Sequence, residues 1–362
     1  MDGLDTVVAA ETVLSDVDGA LGRLIIRGHA LDDLAGHASF ETVAHLLLDG
    51  LIDRLPDVAA FGRRLGEARA AAFHEVRALD RELAARPPVD AVRALMARLP
   101  DGDDIDTAIR LLAAPAVFTP AVIRVRQGLA PIAPEPALGQ ASDVLRMLKN
   151  RPASPAEAAA LDAYLVTIVD HGLNASTFAA RVTASTLAGL TSAALAGVSA
   201  LKGPLHGGAP GPVIEMLDEI GAPAQATAWL EAALDRGDRL MGFGHRIYRV
   251  RDPRADALKR ALQGLAQAAR ELPGRLALAE AVEAAALDIL ARRKPNRPLN
   301  TNVEFYTAVL LEALGFPADA FTCVFTMGRI AGWVAHAREQ VMSGRLIRPQ
   351  SRYVGPVPLA AA

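Results

Sequence analysis

Apolar positions along this chain recur mostly with a helical period. In Leu278–Arg292, residues Leu278, Val282, Ala285, Ala286 and Ile289 share one face, and Glu280, Glu283 and Asp288 fall off it. Ser154-Pro-Ala-Glu157 predicts a helix start, with Ser154 as cap, Pro155 at the first helical position and Glu157 completing a capping box. The pattern carries that helix on through Leu161, Leu165 and Ile168. Ser39 predicts another start, with Glu41 in the first turn and Gly50 just past the end. Val182–Leu201 has no charged residue and is long enough to span a bilayer, yet it is rich in Ala, Gly, Ser and Thr. It reads as a buried helix against which others pack closely. Only short runs such as Leu24-Ile-Ile26 look extended, and no strand–helix alternation supports a parallel sheet. The fold class expected is mainly α.

Two zones break this pattern. Residues 126–141 carry three prolines and no periodicity, which predicts a surface connection. Residues 203–212 (GPLHGGAPGP) carry four glycines and three prolines, a candidate hinge or domain boundary. A length of 362 residues with 51% hydrophobic content suits about two domains. Net charge is −3, so no overall field favours nucleic acid or a membrane surface. The single cysteine, Cys323, lies in the apolar run AFTCVF and reads as an inert buried thiol. A chain with no pair of cysteines fits a reducing cytosol, and the acidic N-terminus does not read as a signal peptide. The location expected is cytoplasmic.

Against that mild charge, Met241–Arg254 (MGFGHRIYRVRDPR) gathers four arginines and a histidine around two glycines. Such local charge favours a small anionic ligand; the plainer reading is a solvated loop. His171, His206 and His245 each adjoin glycine, which allows close backbone approach. A three-histidine metal site is set aside because no two of them have short ligand spacing. His206 precedes a helix expected near Val213, whose positive end would favour the neutral imidazole suited to stabilising an enolate. Glu304 sits between Val303 and Phe305 at a helix start; it is either a dipole partner or, if buried, a base with raised pKa. Arg329 shares a helical face with Phe325, Gly332 and His336, beside a small-residue stripe of Gly328, Ala331 and Ala335. There it either reaches solvent or holds a carboxylate in a dry site.

Taken together, DGALGRLIIRGHALDDLA, DHGLNASTFAARVTAST, GPLHGGAPGPVIEML, MGFGHRIYRVRDPRA, TNVEFYTAVLLEALG and the GRIAGWVAH–IRPQ end strongly resemble the citrate synthase family, in its order and spacing. The resemblance implies a helical homodimer with the active site in a cleft between two domains. Residues 209–310 would form the small domain, and 1–208 with 311–362 the large one. It implies condensation of acetyl-CoA with oxaloacetate and thioester hydrolysis to citrate and CoA. No tightly bound cofactor or metal is implied; coenzyme A enters as a thioester co-substrate. Glu304 would be the base, His206 the enolate donor, and His245 the group polarising the ketone. His171, Arg254 and Arg329 would hold oxaloacetate, with Arg348 reaching in from the partner subunit. Met241, Gly242, Phe243, Gly244, Arg249 and Lys294 would meet CoA. Many members carry Asp where this chain has Glu304, and one extra methylene moves the carboxylate by about an ångström. A 2-methylcitrate synthase using propionyl-CoA, a non-catalytic binding homologue and a purely structural dimer are the other readings.

Overall fold

The computed structural model describes residues 3–4, 6–207, 211–245, 247–268, 273–296 and 299–356. A small antiparallel sheet opens the chain: β1 (Ser15–Asp18), β2 (Arg23–Ile26) and β3 (His29–Ala30), with Ser15 opposite Ile26 and Ile25 opposite Ala30. Helices follow: α1 (Leu31–Leu34), α2 (Phe40–Leu48), α3 (Val58–Ala72), α4 (Arg81–Ala85), α5 (Pro88–Met96), α6 (Ile105–Arg126), α7 (Gln140–Lys149) and α8 (Pro155–Thr167). Then come α9 (Ala175–Ala184), α10 (Leu190–Leu201), α11 (Gly211–Ile220), α12 (Ala226–Asp235), α13 (Pro253–Ala268), α14 (Pro273–Arg293), α15 (Val303–Ala313) and α16 (Phe321–Ser343). The mainly α class is as expected.

Local chemistry sets many helix starts. Ser154 and Glu157 form the full capping box of α8, and Ser39 accepts from Thr42 N at the start of α2. Asp57, Asp104, Asn174 and Asn302 cap α3, α6, α9 and α15 in the same way. The expected single helix over Val182–Leu201 is instead two. Ser185 and Thr186 hydroxyls bond back to the carbonyls of Val182 and Thr183, and Gly189 takes φ +95°. The start of α10 is then capped from 90 residues away: Asp101 accepts from Thr191 N (2.8 Å) and Ser192 N (3.0 Å). Glu283 also departs from expectation. It is buried, because α14 is covered on a second side by α13 and α15.

The centre of the packing is α16, which contacts α2, α6, α8, α9 and α10. Glycines let it approach closely. A Cβ at Gly328 would lie 2.6 Å from the Ile168 side chain, and one at Gly332 would lie 2.5 Å from Val169 O. This seats α16 directly against the turn that follows α8. On the other side, α13 packs on α8 and α15. Among the described residues α6 is long and apolar enough to cross a membrane, and it is mostly buried within the fold. Cys323 is buried, and burial pushes its thiol up. Residues 127–139 form the expected connection without a helix. The expected boundary at 208/209 falls outside the described residues, and residue 310 lies inside α15.

Candidate active site

A short ladder brings two distant segments together. Gly244 N donates to Asn300 O (2.7 Å), Asn302 N donates to Gly242 O (2.9 Å), and Phe243 bridges Thr301. Asn302 Nδ2 also donates to Gly244 O at 2.8 Å. Gly242 and Gly244 sit at φ +86° and +84°. Their missing Cβ atoms would meet Phe305 at 2.8 Å and Leu299 at 2.9 Å, so protein already fills that space. The ladder holds His245 beside the first turn of α15, where Glu304 stands.

His245 Nδ1 accepts from Ile247 N (3.0 Å) and Tyr248 N (3.2 Å), which leaves the proton of a neutral ring on Nε2. That nitrogen lies 3.2 Å from Arg254 Nη2. Two donors side by side suit an oxygen that accepts from both. Burial, then the charge of Arg254, lowers the His245 pKa to about 4, so the ring is neutral at pH 7. Arg254 is itself fixed by Asp252: Nε to Oδ1 at 3.0 Å and Nη2 to Oδ2 at 2.8 Å. Asp252 also accepts from Val303 N, which ties the arginine to the start of α15.

His171 follows α8 in a tight turn, with Gly172 at φ +60°. Its ring lies 5.9 Å from that of His245, and Nε2 is 3.0 Å from Tyr248 Oη. Burial, with Arg254, Arg329 and His245 nearby, holds its pKa well below the ordinary value. Arg329 is buried rather than reaching solvent. Its Nε donates to Ile168 O at 2.6 Å, and its guanidinium carbon lies 4.8 Å from the Phe325 ring centre. Its Nη2 is sealed from solvent with no partner. Burial lowers its pKa to about 10, opposed by the charge of Asp170.

His206 Nε2 lies 2.9 Å from Ser176 Oγ, a hydroxyl that also takes the Trp333 indole N–H at 3.2 Å. Its pKa falls to about 4 through burial first and Arg329 second. Burial and Arg329 account for the neutral state; α11, expected to favour it as well, starts at Gly211, and residues 208–210 lie outside the described ones. Glu304 is half-buried in the first turn of α15, and its Oε2 is sealed from solvent without a partner. Burial raises its pKa, opposed by Arg254.

The electrostatic couplings place these groups in one neighbourhood: Arg329 acts on His171, His206 and Arg254, and Arg254 on Glu304. The remaining candidates stand apart. Met241 and Phe243 are half-buried, with Phe243 against the Phe305 ring at 5.3 Å. The Arg249 side chain is exposed, while its N–H donates to Gly19 O. Lys294 is exposed just past α14, and Arg348 is exposed in the extended segment after α16. Tyr248, Asp252, Ser176 and Asn302 were not singled out from sequence. Only Asp252, two residues before Arg254, carried a local signal.

The chain is similar to known proteins over nearly its whole length. Residues 3–350 match the family model described as citrate synthase, C-terminal domain. The chain is 36% identical to the citrate synthase of Acidithiobacillus ferridurans, covering 98% of this chain and 95% of that protein. It is 37% identical to a 2-methylcitrate synthase of Mycobacterium tuberculosis, covering 98% and 90%. The crystal structure of Thermotoga maritima citrate synthase superposes with a TM-score of 0.84 at 32% identity, covering 99% and 96%. The citrate synthase of Thermoplasma acidophilum, solved as a ternary complex with carboxymethyl coenzyme A and oxaloacetate, gives 0.82 at 30% identity, covering 99% and 98%. With nearly its whole length matched, this chain belongs to the citrate synthase family.

Proposed function

We propose that this chain joins the methyl carbon of acetyl-CoA to the ketone of oxaloacetate and then hydrolyses the thioester to citrate and CoA. The observation that carries the reading is the carboxyl of Glu304: raised in pKa by burial, with one oxygen sealed and unpartnered, and under the charge of Arg254, which also acts on the neutral His245. Such a carboxylate is suited to take a weakly acidic proton next to a thioester carbonyl. His206 then stabilises the enolate oxygen. For that role the Ser176 hydroxyl must turn from Asn174 Oδ1, to which it donates at 2.7 Å, and give its proton to Nε2, leaving Nδ1–H as the donor. His245 Nε2–H and Arg254 polarise the acceptor ketone and grip the adjoining carboxylate. Arg329, with its free Nη2, holds the other carboxylate. Each such contribution is typically worth about 10²–10⁴-fold.

In this reading the enzyme works as a homodimer, and Arg348 enters the neighbouring active site. Residues 209–310 close over the cleft and exclude water until condensation is complete. Backbone near Met241–Gly244, with Arg249 and Lys294, meets CoA. Propionyl-CoA is the alternative acyl donor, supported by the 37% identical 2-methylcitrate synthase. One methylene is worth only about 1–3 kcal/mol of discrimination, so the ratio must be measured. The test is thiol release from acetyl-CoA and from propionyl-CoA, with and without oxaloacetate. Release that needs oxaloacetate is expected. No release from either thioester would leave a binding protein and end the enzymatic reading.

A further inference from the structure

His336 lies two turns beyond Arg329 on α16 and is wholly buried, and the reaction above gives it no task. Its ring is held at both nitrogens. Arg181 Nη1, from α9, lies 2.9 Å from Nδ1, and Asp170 Oδ2 lies 3.2 Å from Nε2. A guanidinium can only donate, so Nδ1 must accept. The ring proton is therefore on Nε2 and is donated to Asp170. Arg181 is fixed in turn by Glu339 Oε2 at 2.5 Å and Gln340 Oε1 at 2.9 Å.

Asp170 immediately precedes His171, and the turn that carries both is clamped at three points. Ile168 O takes the Arg329 Nε–H. Asp170 Oδ2 takes the Ser15 hydroxyl at 2.5 Å as well as His336. Gly172 N donates to the same Ser15 oxygen at 2.8 Å. Gly332, between Arg329 and His336 on one face of α16, makes the seat: a Cβ there would lie 2.7 Å from Asp170 Oδ1. The face Arg329–Gly332–His336 thus has a use along its whole length. Its first residue faces the candidate oxaloacetate site, and its last holds the turn from behind.

We propose that His336, with Ser15 opposite it, is a positioning residue: by holding Asp170 against α16 it aims His171 and sets oxaloacetate affinity without touching substrate. This rests on reading the site as an oxaloacetate centre. The alternative is a histidine that merely fills the core. His336→Gln retains one acceptor and one donor, whereas His336→Ala retains neither.

The experiment compares the two variants with the parent. His336→Ala is expected to raise the KM and Kd for oxaloacetate about five- to tenfold, the worth of one hydrogen bond, while kcat and the KM for acetyl-CoA stay within about threefold. His336→Gln recovers most of the loss. Unchanged oxaloacetate affinity in His336→Ala, an equal loss for both substrates, or a Gln variant no better than Ala would overturn the proposal. If His336→Ala does not fold, Ser15→Ala serves instead, with the same split expected at about threefold. Hydrogen exchange at the Gly172 amide, read without substrate, separates this inference from the function. It is expected to quicken about five- to tenfold in His336→Ala and not in His336→Gln. Faster exchange in a protein whose parent binds no oxaloacetate would sink the functional reading and keep the clamp; unaltered exchange would sink the clamp.

Discussion

Glu283 on α14 and Glu304 on α15 flank the same short segment, and the protein treats them oppositely. Glu283 accepts from Tyr306 Oη (2.6 Å), Thr301 Oγ1 (2.7 Å), Lys259 Nζ (2.9 Å) and Arg251 Nη1 (2.9 Å). Burial alone would push its carboxyl up, but these donors and the charge of Arg251 hold it below 4.5. Glu304 has one oxygen sealed and unpartnered, and burial leaves its pKa raised. A buried polar group without a partner costs about 1–3 kcal/mol. On the function proposed above that cost serves the chemistry, whereas the satisfied Glu283 carboxylate is scaffolding. The two are connected. Glu283 anchors the Thr301 side chain, Thr301 bridges Phe243, and that ladder sets His245 beside Glu304.

The sharpest way to break this comparison is Glu304→Gln. Thiol release should fall about 10²–10⁴-fold, with oxaloacetate affinity by calorimetry within about threefold. A fully active variant would show that another group takes the proton. Glu283→Ala should act mainly on stability, lowering it about 3–5 kcal/mol in urea unfolding, because Lys259, Arg251 and Tyr306 lose their shared acceptor. If it instead abolished turnover in a protein of normal stability, Glu283 would belong to the chemistry.

Gly242→Ala comes next, at about 2 kcal/mol of lost stability, since it meets both a positive φ and Phe305. It should lower kcat as well, by spreading the ladder between His245 and Glu304. Normal kcat in this variant would mean that the ladder does not set their spacing.

The smallest effects are those of pH, and the two glutamates should differ in sign. The folded-state pKa of Glu283 is depressed, so its stabilisation is present above about 4.5 and is lost as pH falls through the lower folded value. Glu304 is raised, so it penalises the folded state at pH 7. Glu304→Gln should therefore be more stable than the parent at pH 7, and the gain should vanish below about pH 4. Urea midpoints across pH 4–8 would show this, and a parallel profile for the two variants would erase the distinction. His206 and His245, both lowered to about 4, should leave kcat flat between pH 6 and 8 and reduce stability as pH falls from 6.5 toward 4.

Much of this was legible in the chain. The caps at Ser39 and Ser154, the extended Leu24–Ile26 run and the glycine-flanked histidines are local signals, and local chemistry carried them through unchanged. The family was legible because its motifs keep their order and spacing along the whole length. Glu283 was misread because a helical wheel knows one buried face, whereas α14 is covered on more than one side. The break in Val182–Leu201 was missed because the cap of α10 is Asp101, far away in sequence.

The residue types needed for the chemistry, and their clustering at glycine-rich breaks, were determined by the sequence alone. Only the tertiary structure decided which acid is satisfied and which is left bare. It also decided that His206 is neutral through burial and Arg329, and that His336 serves the turn behind His171. The reason is physical: hydrogen-bond partners and desolvation depend on groups brought in from distant positions, and no local pattern specifies them.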